Sequence, residues 1–168
     1  RRRAVFSAQA WRTLGRREQV FLAARHLAWH RNGAAFGLQG LQVALAGGTF
    51  WGAARIADGA ARARGLPGIV APEAFPFWVV ALFALAALAG VAAHAVARRM
   101  EMRADRFALR HAGGADVLRS CLRHRFEREP FAVDAPGWQV ALLRKMPTPA
   151  KRLAQAQALE RARGPERS

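Results

Sequence analysis

Two groups of residues carry side chains able to do chemistry. His26 and His30 stand four apart in Ala24-Arg25-His26-Leu27-Ala28-Trp29-His30, a spacing that puts two imidazoles on one helix face and can set two nitrogens on one zinc ion. His94, Arg98, Glu101 and Asp105 fall at offsets 0, 4, 7 and 11, a single polar stripe on a continuous helix. Glu101 could join His26 and His30 as a third protein ligand, leaving a fourth zinc position open to water. The same residues also describe something plainer. An Arg98–Glu101 pair beside interfacial arginines makes a solvated face, and so does a His pair on an Arg-rich helix.

The elements that must position these groups read as mainly α, within a single domain over 1–168. Residues 1–31 begin with a strand-like run, Ala4-Val5-Phe6-Ser7, and pass from about Glu18 into an amphipathic helix with Val20, Phe21, Ala24, Leu27 and Ala28 on its apolar face. The 23 residues between Arg31 and Arg55 carry no charge. At about 1.5 Å per residue this is enough to cross a ~30 Å hydrocarbon layer, so 33–54 reads as a first transmembrane helix. Its glycine pairs Gly33/Gly37 and Gly48/Gly52 have the four-residue spacing that lets another helix approach closely, and a buried glycine-rich core helix is the alternative. Residues 55–73 read as a loop broken by Gly65, Pro67, Gly68 and Pro72. Residues 74–97 are again free of charge and open with Phe75, Phe77 and Trp78, aromatics suited to a membrane interface, which marks a second span. Residues 98–160 read as cytoplasmic helices and 161–168 as a tail.

Charge orients this arrangement. The chain has 25 Arg and 2 Lys against 11 acidic residues, for a net charge of +16. The loop between the spans carries Arg55, Arg62 and Arg64, while clusters at Arg1–Arg31 and Arg98–Arg110 flank the pair. The positive-inside bias then puts both termini in the cytoplasm, as in a bacterial-type inner membrane or another integral membrane. So basic a chain favours anionic partners, and the apolar stretches favour membrane lipids. Nucleic acid is disfavoured, because only Phe107 and Phe126 interleave with the basic residues where single-strand binders need stacking aromatics. Cys121 is the one cysteine, so neither a disulfide framework nor a four-Cys zinc site is possible within the chain. An opening of Arg1-Arg2-Arg3 with no Met before Met100 reads as a fragment or processed product, without a legible signal peptide.

Taken together, the two groups resemble the HtpX and CAAX-prenyl-protease type of membrane-integrated zinc metallopeptidase. In that family an H-E-x-x-H helix precedes one or two membrane spans, and a later helix with Arg-x-x-Glu-x-x-Ala-Asp-x-x-Ala gives the third ligand. Here Arg98-Arg99-Met100-Glu101-Met102-Arg103-Ala104-Asp105-Arg106-Phe107-Ala108 follows that pattern closely. Thr148-Pro149-Ala150-Lys151-Arg152-Leu153 looks like a weakened form of the family's Ser/Thr-His-Pro…Arg-Ile segment, without its His. The resemblance covers roughly residues 4 to 160. It implies a helical metallopeptidase-like domain with zinc held by His26, His30 and Glu101. Asp105 is implied as the residue that orients a ligand His, and His94, Arg98 and Arg152 are further candidates.

The first motif departs from the family. Laid without a gap on A-H-E-L-x-H-x-x-N-G, the sequence matches at Ala24, Leu27, Asn32 and Gly33, with Arg25 and Trp29 at the two His positions and His26 at the Glu. Slipped by one, it keeps His26 and His30 but puts Leu27 where the general base belongs. Neither register contains the Glu, and Glu18 is about 12 Å away along the helix axis. Losing the base alone costs on the order of 10²–10⁴ in rate. The expectation is therefore a weakly active or inactive member that serves as a membrane scaffold, substrate binder or partner of an active protease. Two other readings compete: a working zinc endopeptidase using His26, His30 and Glu101, and an Arg-rich membrane-anchored binder of anionic lipids or of a partner protein.

Overall fold

A computed structural model describes residues 8–31, 33–128 and 136–163. The chain is mainly helical, with α1 (Ala8–Thr13), α2 (Arg16–Arg31), α3 (Ala34–Arg62), α4 (Phe75–Ala112), α5 (Ala115–Arg128), α6 (Gly137–Leu143) and α7 (Pro149–Arg163). A single 3-10 turn, Pro72–Ala74, leads into α4. No strand occurs among the described residues, and the run expected at Ala4–Ser7 lies outside them.

The expected single domain resolves into two compact units. One is a bundle of 1–35 and 97–168, the other a helical hairpin of 36–96, and the boundaries fall in the first turn of α3 and within α4.

In the bundle, α2 starts on one arm of a capping box. Glu18, at the third helical position, accepts the backbone N–H of Gly15 at 2.7 Å, satisfying a donor that the first turn leaves open. The helix ends before Gly33, whose φ of +61° suits glycine and stops helical hydrogen bonding. Packing of α2 on α5, and of α5 on α7, surrounds a core of Phe21, Leu109, Leu118, Leu122 and small residues such as Ala108 and Ala156. The Gly113-Gly114 break, with φ +113° at Gly113, separates α4 from α5. Thr148 caps α7 through its hydroxyl, which accepts the Lys151 N–H at 3.4 Å, and Pro149 takes the first helical position, where no N–H is needed.

In the hairpin, α3 continues to Arg62, past the expected end at residue 54. The expected loop of 55–73 is thereby cut to about its second half. The reason is local: residues 53–63 are rich in alanine, and an arginine does not end a helix. What ends it is Gly65, at φ +76°. Its N–H donates to the Arg62 carbonyl at 3.0 Å, and that of Leu66 to the Ala61 carbonyl at 3.1 Å, a Schellman closure. Beyond it, Asp58 accepts the Ile69 N–H at 3.1 Å and an Arg62 bond at 3.0 Å, tying the connection back to α3. A Cβ at Gly68 (φ +103°) would lie 2.5 Å from the Asp58 carboxylate, so only glycine fits there.

The buried face of α3 is Thr49, Ala53, Ala57 and Ala61, four apart along one side, and Ala74 and Ala81 are buried across from the turn. The large apolar residues Phe36, Val43, Trp51, Val80 and Phe83 point outward. Close approach occurs at Gly52, where a Cβ would meet Leu85 at 3.0 Å. The other glycines expected to seat a helix do not: Gly33 is in the turn before α3, and a Cβ on Gly37 or Gly48 would touch nothing.

Among the described residues one helix, α4, is long and apolar enough to cross a membrane, and only 6% of its most apolar window is buried. At 29 residues α3 has the length, but Gln39, Gln42, Thr49 and its glycines hold its hydropathy down.

Candidate functional site

Four charged side chains from three helices meet inside the bundle. Glu101 and Asp105, one turn apart on α4, share a face as their spacing predicted. Arg25 reaches them from α2: its Nη2 donates to Glu101 Oε2, and its Nε lies 2.8 Å from Asp105 Oδ1. That Nε contact is a close ion pair without the alignment of a hydrogen bond. From α7, Arg152 grips Asp105 with both arms of its fork, Nε to Oδ2 at 2.5 Å and Nη2 to Oδ1 at 2.9 Å. Side-chain exposure is 1% for Asp105, 8% for Arg152, 12% for Glu101 and 19% for Arg25. Two cations and two anions cancel, and bidentate geometry with shared hydrogen bonds is what a buried pair needs to offset its desolvation.

His26 and His30 also meet, but with each other. Their Nε2 atoms are 3.0 Å apart and the rings pack edge to face at 4.5 Å between centroids. They are not brought together with Glu101 as a ligand set: among the described residues no group of three His, Cys, Asp or Glu side chains converges as metal ligands. The physical reason is a competing cation. Arg25 projects from the α2 turn that faces Glu101 and places a guanidinium against the carboxylate that a metal would need. Asp105 likewise orients two arginines and no histidine. As a three-ligand zinc site with a general base, these residues do not fit.

Of the other candidates, Arg152 is a full member of the network. Arg98 is not: its Nη1 donates to the carbonyls of Val140 and Arg144, each at 2.8 Å, closing the C-terminal end of α6, where a cation is favoured. His94 belongs to the hairpin, not to the bundle.

No family model, curated protein or solved structure matches this chain.

Two more polar groups of the bundle, the buried Glu18 and the half-buried Cys121, lie at the packed interior. Glu18, besides capping α2, accepts the Ser120 hydroxyl and lies 3.7 Å from His124, joining α2 to α5. Burial, helped by the nearby Glu18 charge, pushes the Cys121 thiol up to about 12, so the protonated form prevails at neutral pH.

Sequence reasoning missed Arg25 as a site residue in its own right, although the gap-free motif register had already put it at a ligand position. It also missed the Asp105–Arg152 pair. The signal available for that pair was the Arg in the Thr-Pro…Arg segment.

Proposed function

We propose that this chain is a membrane-integrated, metallopeptidase-like protein in which arginine cations take the place of a metal at the acidic pair, and that it binds a protein substrate or partner protease without hydrolysing peptide bonds. The observation that carries the reading is Arg25. In the gap-free register it stands at the first histidine of the zinc motif, and its side chain lies on Glu101, the residue at the third-ligand position. A positive charge is thus retained where the carboxylates need one, while Lewis acidity and the activated water are lost.

In this reading the segments 33–54 and 74–97, carried by α3 and the first part of α4, cross an inner-type membrane as a hairpin with both termini cytoplasmic. Support comes from the alanine face buried within the hairpin and the large apolar side chains outside it, the pattern of helices packed in lipid. The exposed Arg99, Arg103, Arg106 and Arg110 beyond the apolar stretch of α4 suit an anionic cytoplasmic leaflet.

Rebuilding the motif tests this. Arg25→His, His26→Glu and Trp29→His together restore H-E-x-x-H in the gap-free register. Purified wild-type protein is expected to hold no stoichiometric zinc by elemental analysis; the triple variant gains it, and loses it again on Glu101→Gln. Stoichiometric zinc in the wild type sinks the reading.

One observation favours a second reading, a zinc endopeptidase on His26 and His30: their Nε2 atoms, 3.0 Å apart, could both approach one metal ion. Casein cleavage abolished both by a chelator and by His30→Ala would establish it.

A further inference from the structure

Several exposed arginines of this chain have an acid close by: Arg17 lies 3.6 Å from Asp116, Arg62 3.0 Å from Asp58 and Arg123 3.4 Å from Glu127. A set on α4 is different. Arg99, Arg103, Arg106 and Arg110 are all exposed, and among the described residues none of the four has a hydrogen bond, ion pair or ring contact. Their offsets of 0, 4, 7 and 11 put them within about 60° of one another around the helix, at ~100° per residue. The buried Ala97, Ala104, Asp105 and Ala108 lie on the opposite side. The result is a straight cationic strip facing solvent, whose like charges one turn apart repel along the helix.

The spacing of the strip selects its occupant. Its three intervals average about 5.5 Å along the axis, close to the ~5.4 Å pitch of a second helix, whereas alternate residues of an extended strand are about 6.6–6.8 Å apart. Over the whole strip a helix with acids at the same spacing stays in register, and an extended chain slips by about 4 Å. A compact anion would leave most of the strip uncovered. Arginine forks pair with carboxylates in bidentate fashion. Nucleic acid finds little to stack on, since Phe107, the aromatic within 99–110, is half-buried and packs on His111. Lipid meets only the near end. With 74–97 in the hydrocarbon layer, Arg99 and Arg103 follow at about headgroup depth, whereas Arg106 and Arg110 stand about 8 and 14 Å beyond a headgroup layer of ~6 Å. The potential of the leaflet fades within a Debye length of about 8 Å.

We propose that the α4 strip docks an acidic helix of a partner protein, one carrying Asp or Glu at four-three-four spacing, with Arg106 and Arg110 as the contacts that no lipid serves. The site deepens the partner-binding reading above and rests on it for the membrane placement that sets lipid aside; the charge and spacing of the strip do not depend on that placement.

The experiment is fluorescence anisotropy of labelled probes with the full chain, in nanodiscs of phosphatidylcholine with and without phosphatidylglycerol. One probe is an alanine-rich helical peptide with four glutamates at four-three-four spacing. The second has the same composition with its glutamates spread around the helix, and the third is an oligo-uridylate. The first is expected to bind more tightly than the other two in both kinds of nanodisc. Arg106→Gln with Arg110→Gln should weaken it by at least about fivefold, as follows from losing two exposed carboxylate pairs. Arg16→Gln with Arg161→Gln, exposed changes of equal charge away from the strip, should leave it intact. The proposal is overturned if the two peptides bind alike, if the oligo-uridylate binds more tightly, if phosphatidylglycerol abolishes peptide binding, or if the control pair weakens binding as much as the Arg106 and Arg110 pair. A chain that stays in solution without detergent or nanodiscs refutes the membrane placement instead, and peptide binding in solution then still decides on the strip.

Discussion

In the bundle, the side chains removed from solvent include Phe21, Leu109 and Leu118, each at 2% exposure or less. In the hairpin they are Ala53, Ala57 and Ala61 at 0%, while Val43 and Phe83 stand 74% and 72% exposed. The first pattern is driven by water, which large apolar groups leave at about 25 cal/mol per Å². The second leaves its large groups outside and makes its close contact along small residues, the pattern that the proposed membrane placement would favour. Such a difference within one chain teaches that a residue's size says where it belongs only once its solvent is known.

The sharpest test of the bundle lies in its charged centre. Asp105→Ala would leave Arg25 and Arg152 facing each other without their shared anion, and should cost about 3–5 kcal/mol in denaturant unfolding; a loss under about 1 kcal/mol would show that the network is not closed to water. Next, Leu118→Ala should cost about 2–5 kcal/mol, whereas Phe83→Ala in detergent should stay within about 0.5 kcal/mol of wild type. Equal losses would erase the contrast between the two units. Within the hairpin, Ala57→Leu should lower stability by about 1–3 kcal/mol by overpacking the small-residue face, read as a drop in detergent melting temperature; an unchanged value would mean that this face is not tightly packed. The smallest effect concerns the turn. Chiefly the Ile69 N–H, and then Arg62, holds the Asp58 carboxyl below its usual range. The tether is therefore present above the ordinary carboxylate pKa and lost as pH falls through the lowered one. Ile69 amide exchange should accelerate on that acid side, and Asp58→Ala should remove the transition.

The regular features of the fold were legible in the residues. The apolar stretch after Phe75 did run as one helix, and the 101/105 spacing did put both carboxylates on one face. The end of α3 is not marked by charge: the helix runs past Arg55 and stops at the left-handed glycine at 65. Its packing face was misplaced because glycine pairs stand out more than the Thr49-Ala53-Ala57-Ala61 row that is actually buried. At the site, Glu101 and Asp105 could be named from a motif, but their partners come from 76 and 47 residues away. Such pairings depend on how α2 and α7 dock, which no local pattern encodes.

The closed network of Arg25, Glu101, Asp105 and Arg152 also has a consequence for how this sequence can change over generations. Each member is balanced by the others, so replacing any one alone strands a charge in a space with little water to receive it. Acceptable routes need paired substitutions, and the four positions should vary together or hardly at all. A single replacement of Arg25 is therefore obstructed at its first step, whatever residue takes its place. The arginine thereby preserves the acidic pair whether or not that pair retains any chemistry.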